Sequence, residues 1–114
     1  MQQELQDRLF EKYPRIFSQK DLSPQETCMC FGIACGDGWY DIIDTLCHCI
    51  QKYTEFKDIK IEACQVKSKF GGLRFYTNSE DPYICGMIRM AEAMSRVTLE
   101  LTQKQQFYMN NKGE

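Results

Sequence analysis

The run 59–78, IKIEACQVKSKFGGLRFYTN, admits few backbone arrangements other than two strands folded back on each other. Ile59, Ile61, Ala63 and Gln65 fall on one side at period two, and Lys60, Glu62 and Cys64 on the other. After the glycines, Leu73, Phe75 and Thr77 alternate with Arg74, Tyr76 and Asn78. Gly71-Gly72 reads as the connection, because glycine reaches the positive φ that a tight hairpin needs without a Cβ clash. Strands over about 58–67 and 72–78 are therefore expected, with Lys67, Lys69 and Arg74 gathered at the tip.

The flanking sequence supplies helices to cover such a sheet. Leu5, Leu9, Phe10 and Tyr13 share one side of a helix over about 2–13, which Pro14 ends by disfavouring helical backbone at Tyr13. Between 18 and 38 the chain is broken by Ser23-Pro24, Gly32, Gly36 and Gly38, and the apolar CMCFGIAC suggests a third strand over about 29–34. A helix over about 39–54 follows, with Asp37 as its expected cap and Ile42, Ile43, Leu46, Cys47, Cys49, Ile50 and Tyr53 on its apolar stripe. Asp41, Asp44, Thr45, His48 and Lys52 fall on its polar side. Asp81-Pro82 starts the last helix, which the spacing of Ile84, Met87, Ile88, Ala91, Met94, Thr98 and Leu101 carries to about 101. Its methionines Met87, Met90 and Met94 are expected in the core, with an adaptable contact surface as the alternative, and Glu92–Arg96 and Arg96–Glu100 as surface ion pairs. The polar tail is expected to fray from about 103. The sum is one α+β domain over 1–114: a small antiparallel sheet packed against two or three helices.

Composition bounds function. A net charge of −2 gives no bulk attraction to nucleic acid or anionic membrane. No apolar run approaches the ~18 residues of a spanning helix, and MQQELQDRLF lacks the apolar core of a signal peptide, so a cytoplasmic protein with no membrane association is expected. Seven cysteines is an odd number without a secretion signal, which argues against a disulfide framework. Metal binding is the sharper alternative, but Cys28-x-Cys30 is short for a zinc knuckle, and Cys47 and His48 project ~100° apart on a helix. Small buried thiols are the expectation, with no metal and no cofactor.

Two constellations bear on function. In Gly36-Asp37-Gly38-Trp39, glycines before a helix could expose backbone N–H groups to an anion. The favoured reading is structural, with Asp37 capping the helix and Trp39 anchoring it on the sheet. On the hairpin, Lys67, Lys69, Phe70, Arg74 and Tyr76 interleave cations with aromatics. That suits an acidic protein surface or single-stranded nucleic acid. The alternative is an ordinary surface, with Phe70 turned inward and Arg74 paired to Asp37 or Asp41. No Ser/His/Asp or HExxH pattern is present, and no catalytic residue is assigned. A small metal-dependent enzyme using Asp37 or Cys35 is the weakest alternative.

CGDGWYDIIDTLC (35–47) followed by QVKSKFGGLRFY (65–76), with EKYPRIF (11–17) and AEAMS (91–95), resembles a family of small uncharacterised bacteriophage and prophage proteins. In that family GDGW precedes a helix and a VKxKFGGLRFY hairpin. Many relatives continue into a Cys-x-x-Cys segment suited to zinc; this chain reads RVTLELTQKQQ there, so a zinc knuckle is not carried over. The family has no established biochemical activity. The resemblance implies an accessory factor that binds a host or phage macromolecule, including an inhibitor of a host defence system of the anti-CRISPR kind, acting in the host cytoplasm. The expected function is thus a non-enzymatic interaction module with a protein partner, and a nucleic-acid-binding module is the alternative. The candidate partner-binding residues are Lys67, Lys69, Phe70, Arg74, Tyr76, Asp37 and Trp39.

Overall fold

A computed structural model describes residues 1–101. Helix α1 (Gln3–Lys12) leads through a turn-rich segment to a short strand β1 (Ile33–Ala34). Helix α2 (Tyr40–Lys57) crosses to the hairpin strands β2 (Ala63–Lys69) and β3 (Gly72–Thr77), and helix α3 (Pro82–Ser95) follows. The sheet order is β1-β2-β3. No helix among the described residues is long and apolar enough to cross a membrane.

The α+β architecture matches the sequence expectation, but the sheet is mixed. β1 runs parallel to β2 because α2 carries the chain back across the sheet between them, as parallel neighbours require. Only Ile33 and Ala34 of the expected 29–34 strand pair with β2, opposite Val66 and Lys67. Met29–Phe31 forms a 3-10 turn instead, and Gly32 at φ 73° redirects the chain into β1.

The hairpin departs from expectation in two ways. Its connection is Phe70-Gly71, at φ 52° and 78°, with Lys69 paired to Gly72. Positive φ at both central residues is the type I′ pattern, whose twist matches the strands. The glycine pair pointed one residue too far because an aromatic in left-handed backbone is sterically disfavoured. The second departure is at Cys64. Ala63 pairs with Thr77 and Gln65 with Tyr76, so the extra residue forms a bulge. It moves Gln65 to the other face and lets Ala63 and Val66 both point into the core. β2 also begins later than 58, because α2 continues to Lys57 and ends at Asp58 in left-handed backbone.

The core fills the space between the inner sheet face and the helices. Ile33, Ala63, Val66, Leu73 and Phe75 meet Ile43, Leu46, Cys47 and Ile50 of α2, with Leu9, Tyr13, Phe17, Trp39 and Ile84 around them. Completely burying one such large side chain contributes roughly 1.5–3 kcal/mol. At the buried edge of α2, the Tyr13 hydroxyl donates to the Asp44 carboxylate, which Lys12 also reaches at 2.7 Å. Asp44 is therefore tied to α1 rather than simply solvated.

α3 starts as expected: the Asp81 carboxylate accepts from Tyr83 N (2.9 Å) and Ile84 N (3.3 Å), with Pro82 following. It ends at Ser95, short of 101, where the backbone tightens: Arg96, Val97 and Thr98 N donate to Ala93, Met94 and Ser95 O, three residues back, and its last turn also meets the sheet. Leu73 N donates to Ser95 Oγ (2.9 Å) and Phe75 N to Glu92 Oε2 (3.0 Å). These two bonds satisfy the outward amides of Leu73 and Phe75 on a strand that would otherwise be an open edge. The expected Glu92–Arg96 and Arg96–Glu100 ion pairs do not form among the described residues; both carboxylates accept from backbone amides instead. The tail expected to fray from about 103 lies outside the described residues.

Candidate interaction surface

The two sequence constellations have opposite fates. In the Gly36-Asp37-Gly38-Trp39 loop the chain has filled its own site. Gly36 N donates to Glu100 Oε1 (3.0 Å) and Gly38 N to Glu100 O (2.6 Å), while Ser68 Oγ donates to Glu100 Oε2 (3.0 Å). The amides that could have held an external anion hold this carboxylate and its backbone. Both glycines are needed for the close approach: a Cβ at Gly36 would collide with the Glu100 backbone, and one at Gly38 with the Leu99 and Glu100 carbonyls.

Trp39 is buried and donates Nε1 to Thr98 O at 2.9 Å. Asp37 is also buried and accepts from Gln2 N at 2.8 Å, at the start of α1. The expected Asp37 cap on α2 is replaced by this contact, since α2 has no side-chain cap. Asp37 and Trp39 therefore sit inside the fold and do not share a surface with the hairpin.

The hairpin residues do come together. Arg74 lies directly opposite Lys67, and Tyr76 opposite Gln65, on the sheet face away from Leu73 and Phe75. Like charges directly opposed across strands are destabilising. Arg96, at the end of α3, adds a third cation: Arg74 Nη1 and Arg96 Nε lie 3.4 and 3.5 Å from the Cβ position of Gly72. The two guanidinium groups are thus within about 7 Å of each other, where mutual repulsion is felt. Lys69 completes the group, its Nζ 5.6 Å from the Phe70 ring centroid. Among the described residues no carboxylate forms an ion pair with Lys67, Lys69, Arg74 or Arg96. Among the described residues the expected alternative of Arg74 paired to Asp41 is not found; Arg74 Nη1 donates to Leu73 O (3.1 Å) instead.

Phe70 sits at the tip and is 93% exposed. The alternative in which it packs inward is overturned. Tyr76 is 43% exposed on the same outward face.

The thiols divide by depth. Burial pushes the Cys35 thiol up to about 12 and raises that of Cys47 as well, so both stay protonated. Cys28, Cys49 and Cys85 are exposed. Among the described residues no three His, Cys, Asp or Glu side chains gather as a metal site would require.

Sequence reasoning missed Glu100 and Arg96, which it assigned to each other. The Gly-x-Gly spacing of 36–38 was the available signal for Glu100, since paired glycines mark close approach of another backbone. Nothing in the local pattern marks Arg96, whose position depends on where α3 ends. No protein-family profile, characterised protein or solved structure matches the chain.

Proposed function

We propose that this chain is a non-enzymatic interaction module that grips an acidic protein surface through the β2–β3 hairpin. The observation that carries the reading is Phe70. Its backbone is left-handed (φ 52°) and its ring is 93% exposed, so it gains neither favourable conformation nor burial from the fold. A strained, exposed aromatic at the tip of a cation-bearing hairpin is a typical hot-spot anchor. Lys67, Lys69, Arg74 and Arg96 around it would be relieved of mutual repulsion by carboxylates on the partner.

The resemblance to small phage and prophage proteins supplies a context, an accessory factor that engages a host or phage macromolecule, with inhibition of a host defence system as one form of it. Single-stranded nucleic acid is the second reading, favoured by the interleaving of Phe70 and Tyr76 with cations.

The test is affinity capture from host lysate by wild type and by Lys67→Glu/Arg74→Glu, with and without nuclease. A protein captured by wild type, resistant to nuclease and lost in the variant supports the acidic-protein reading. Recovery abolished by nuclease replaces it with the nucleic-acid reading. Identical capture by both chains removes the hairpin from either.

A further inference from the structure

A second surface lies away from the hairpin. The sequence pattern placed the α3 methionines in the core, but Met90 is 69% and Met94 50% exposed. With Tyr83 and Met87 they form a stripe spaced 4, 3 and 4 residues apart along α3, the seam spacing of helix pairing, and exposed Val97 follows beyond the helix end. Beside it α2 and α3 enclose a groove of about 260 Å³, lined by Thr45, Leu46, Cys49, Met87, Met90 and Met94.

The register of the two helices is fixed at both ends. Tyr53 stacks on Tyr83 with ring centroids 5.5 Å apart, and Trp39 bonds to Thr98 beyond the end of α3. α2 and α3 are therefore antiparallel, and Leu46 lies level with Met90 and Ala91. On the rim of α2, Asp41 lies before this level and Lys52 beyond it. Their separation of about three turns returns them to one side of the helix. Neither forms an ion pair with any described residue. The rim thus carries opposite charges on either side of an apolar centre. Its natural complement is itself turned end for end, the arrangement of an isologous two-fold interface.

We propose that two copies of this chain associate through their α2–α3 faces about a two-fold axis level with Met90, with Asp41 of each copy against Lys52 of the other. The four helices form one antiparallel layer pair, in which Met87 of one copy meets Met94 of the second. The flexible methionines fill the groove that the described residues of one copy leave open. This surface is independent of the hairpin.

Light scattering and sedimentation equilibrium across the micromolar range test it. Wild type is expected to approach twice the monomer mass of 13.4 kDa as concentration rises. Asp41→Lys and Lys52→Asp alone are each expected to weaken the dimer about tenfold or more, and the double exchange to restore it to within about threefold of wild type. Met90→Glu is expected to give a monomer with unchanged far-ultraviolet circular dichroism, and Lys67→Glu/Arg74→Glu to dimerise like wild type. If Met90→Glu fails to fold, the charge-exchange series carries the test. Wild type monomeric throughout overturns the proposal, leaving the face to a foreign helix or another segment of the chain. Single variants as dimeric as wild type, or a double variant that stays monomeric, also overturn it.

Discussion

At the scale of single residues, the chain places costs where the fold does not need them and glycines where it does. Phe70 is the clearest cost. Asn-Gly is the preferred type I′ pair, so Phe70→Asn is expected to leave stability unchanged or raise it by about 0.5–1 kcal/mol, read by chemical denaturation. Gly38 is the reverse case. A methyl group there meets the Leu99 and Glu100 carbonyls, so Gly38→Ala must lift the segment that covers Trp39. A loss of roughly 1–3 kcal/mol is expected, with a red shift in the fluorescence of the chain's single tryptophan. An unshifted spectrum at wild-type stability would contradict that packing. The cysteines give a third residue-scale expectation. Under native conditions a thiol reagent should modify Cys28 and Cys85 and spare Cys35 and Cys47, whose thiols are buried and held protonated, as mass spectrometry of the labelled chain would show.

At the scale of elements, two junctions hold the parts in place. One is the α3–β3 edge, where Ser95 and Glu92 accept the outward strand amides. The other is the α1–α2 contact at Asp44. Burial opposes ionisation of that carboxyl, but hydrogen bonds from Lys12 and Tyr13 outweigh it and hold Asp44 below the usual carboxylate range. A group whose folded pKa is lowered adds stability above its unfolded pKa, and loses that contribution as pH falls through the folded one. The stability advantage of wild type over Asp44→Asn should therefore be flat above about pH 5 and shrink below about pH 4. Denaturation series at these pH values measure it, and a gap that stays constant into acid would refute the Asp44 network. Much of this level was legible in the sequence. Helices α1, α2 and α3 and both hairpin strands follow from periodicity, and the Asp81-Pro82 start of α3 follows from capping chemistry. What escaped depended on contacts distant in sequence. The bulge at Cys64 appears only once Ala63 and Val66 must both reach the core, and the Ser95 hydroxyl meets Leu73 N only once α3 is docked on β3.

At the scale of the whole molecule, the candidate site was half legible. The alternation of cations and aromatics in 67–76 located the hairpin face, while Asp37 and Trp39 were drawn inward by Gln2 and Thr98, partners that no local pattern reveals. The result is a fold with its loop of anion-binding amides already occupied by Glu100, and with four cations, Lys67, Lys69, Arg74 and Arg96, gathered at the hairpin and the end of α3. In a chain of net charge −2, that local excess of positive charge is what an acidic partner would read. The most direct measurement of this account pairs lysate capture with denaturation for wild type and Phe70→Asn. The account predicts a variant at least as stable as wild type that no longer retains the nuclease-resistant partner. A variant that holds the same partner at wild-type yield would show that the hairpin tip is not the contact, and would contradict it.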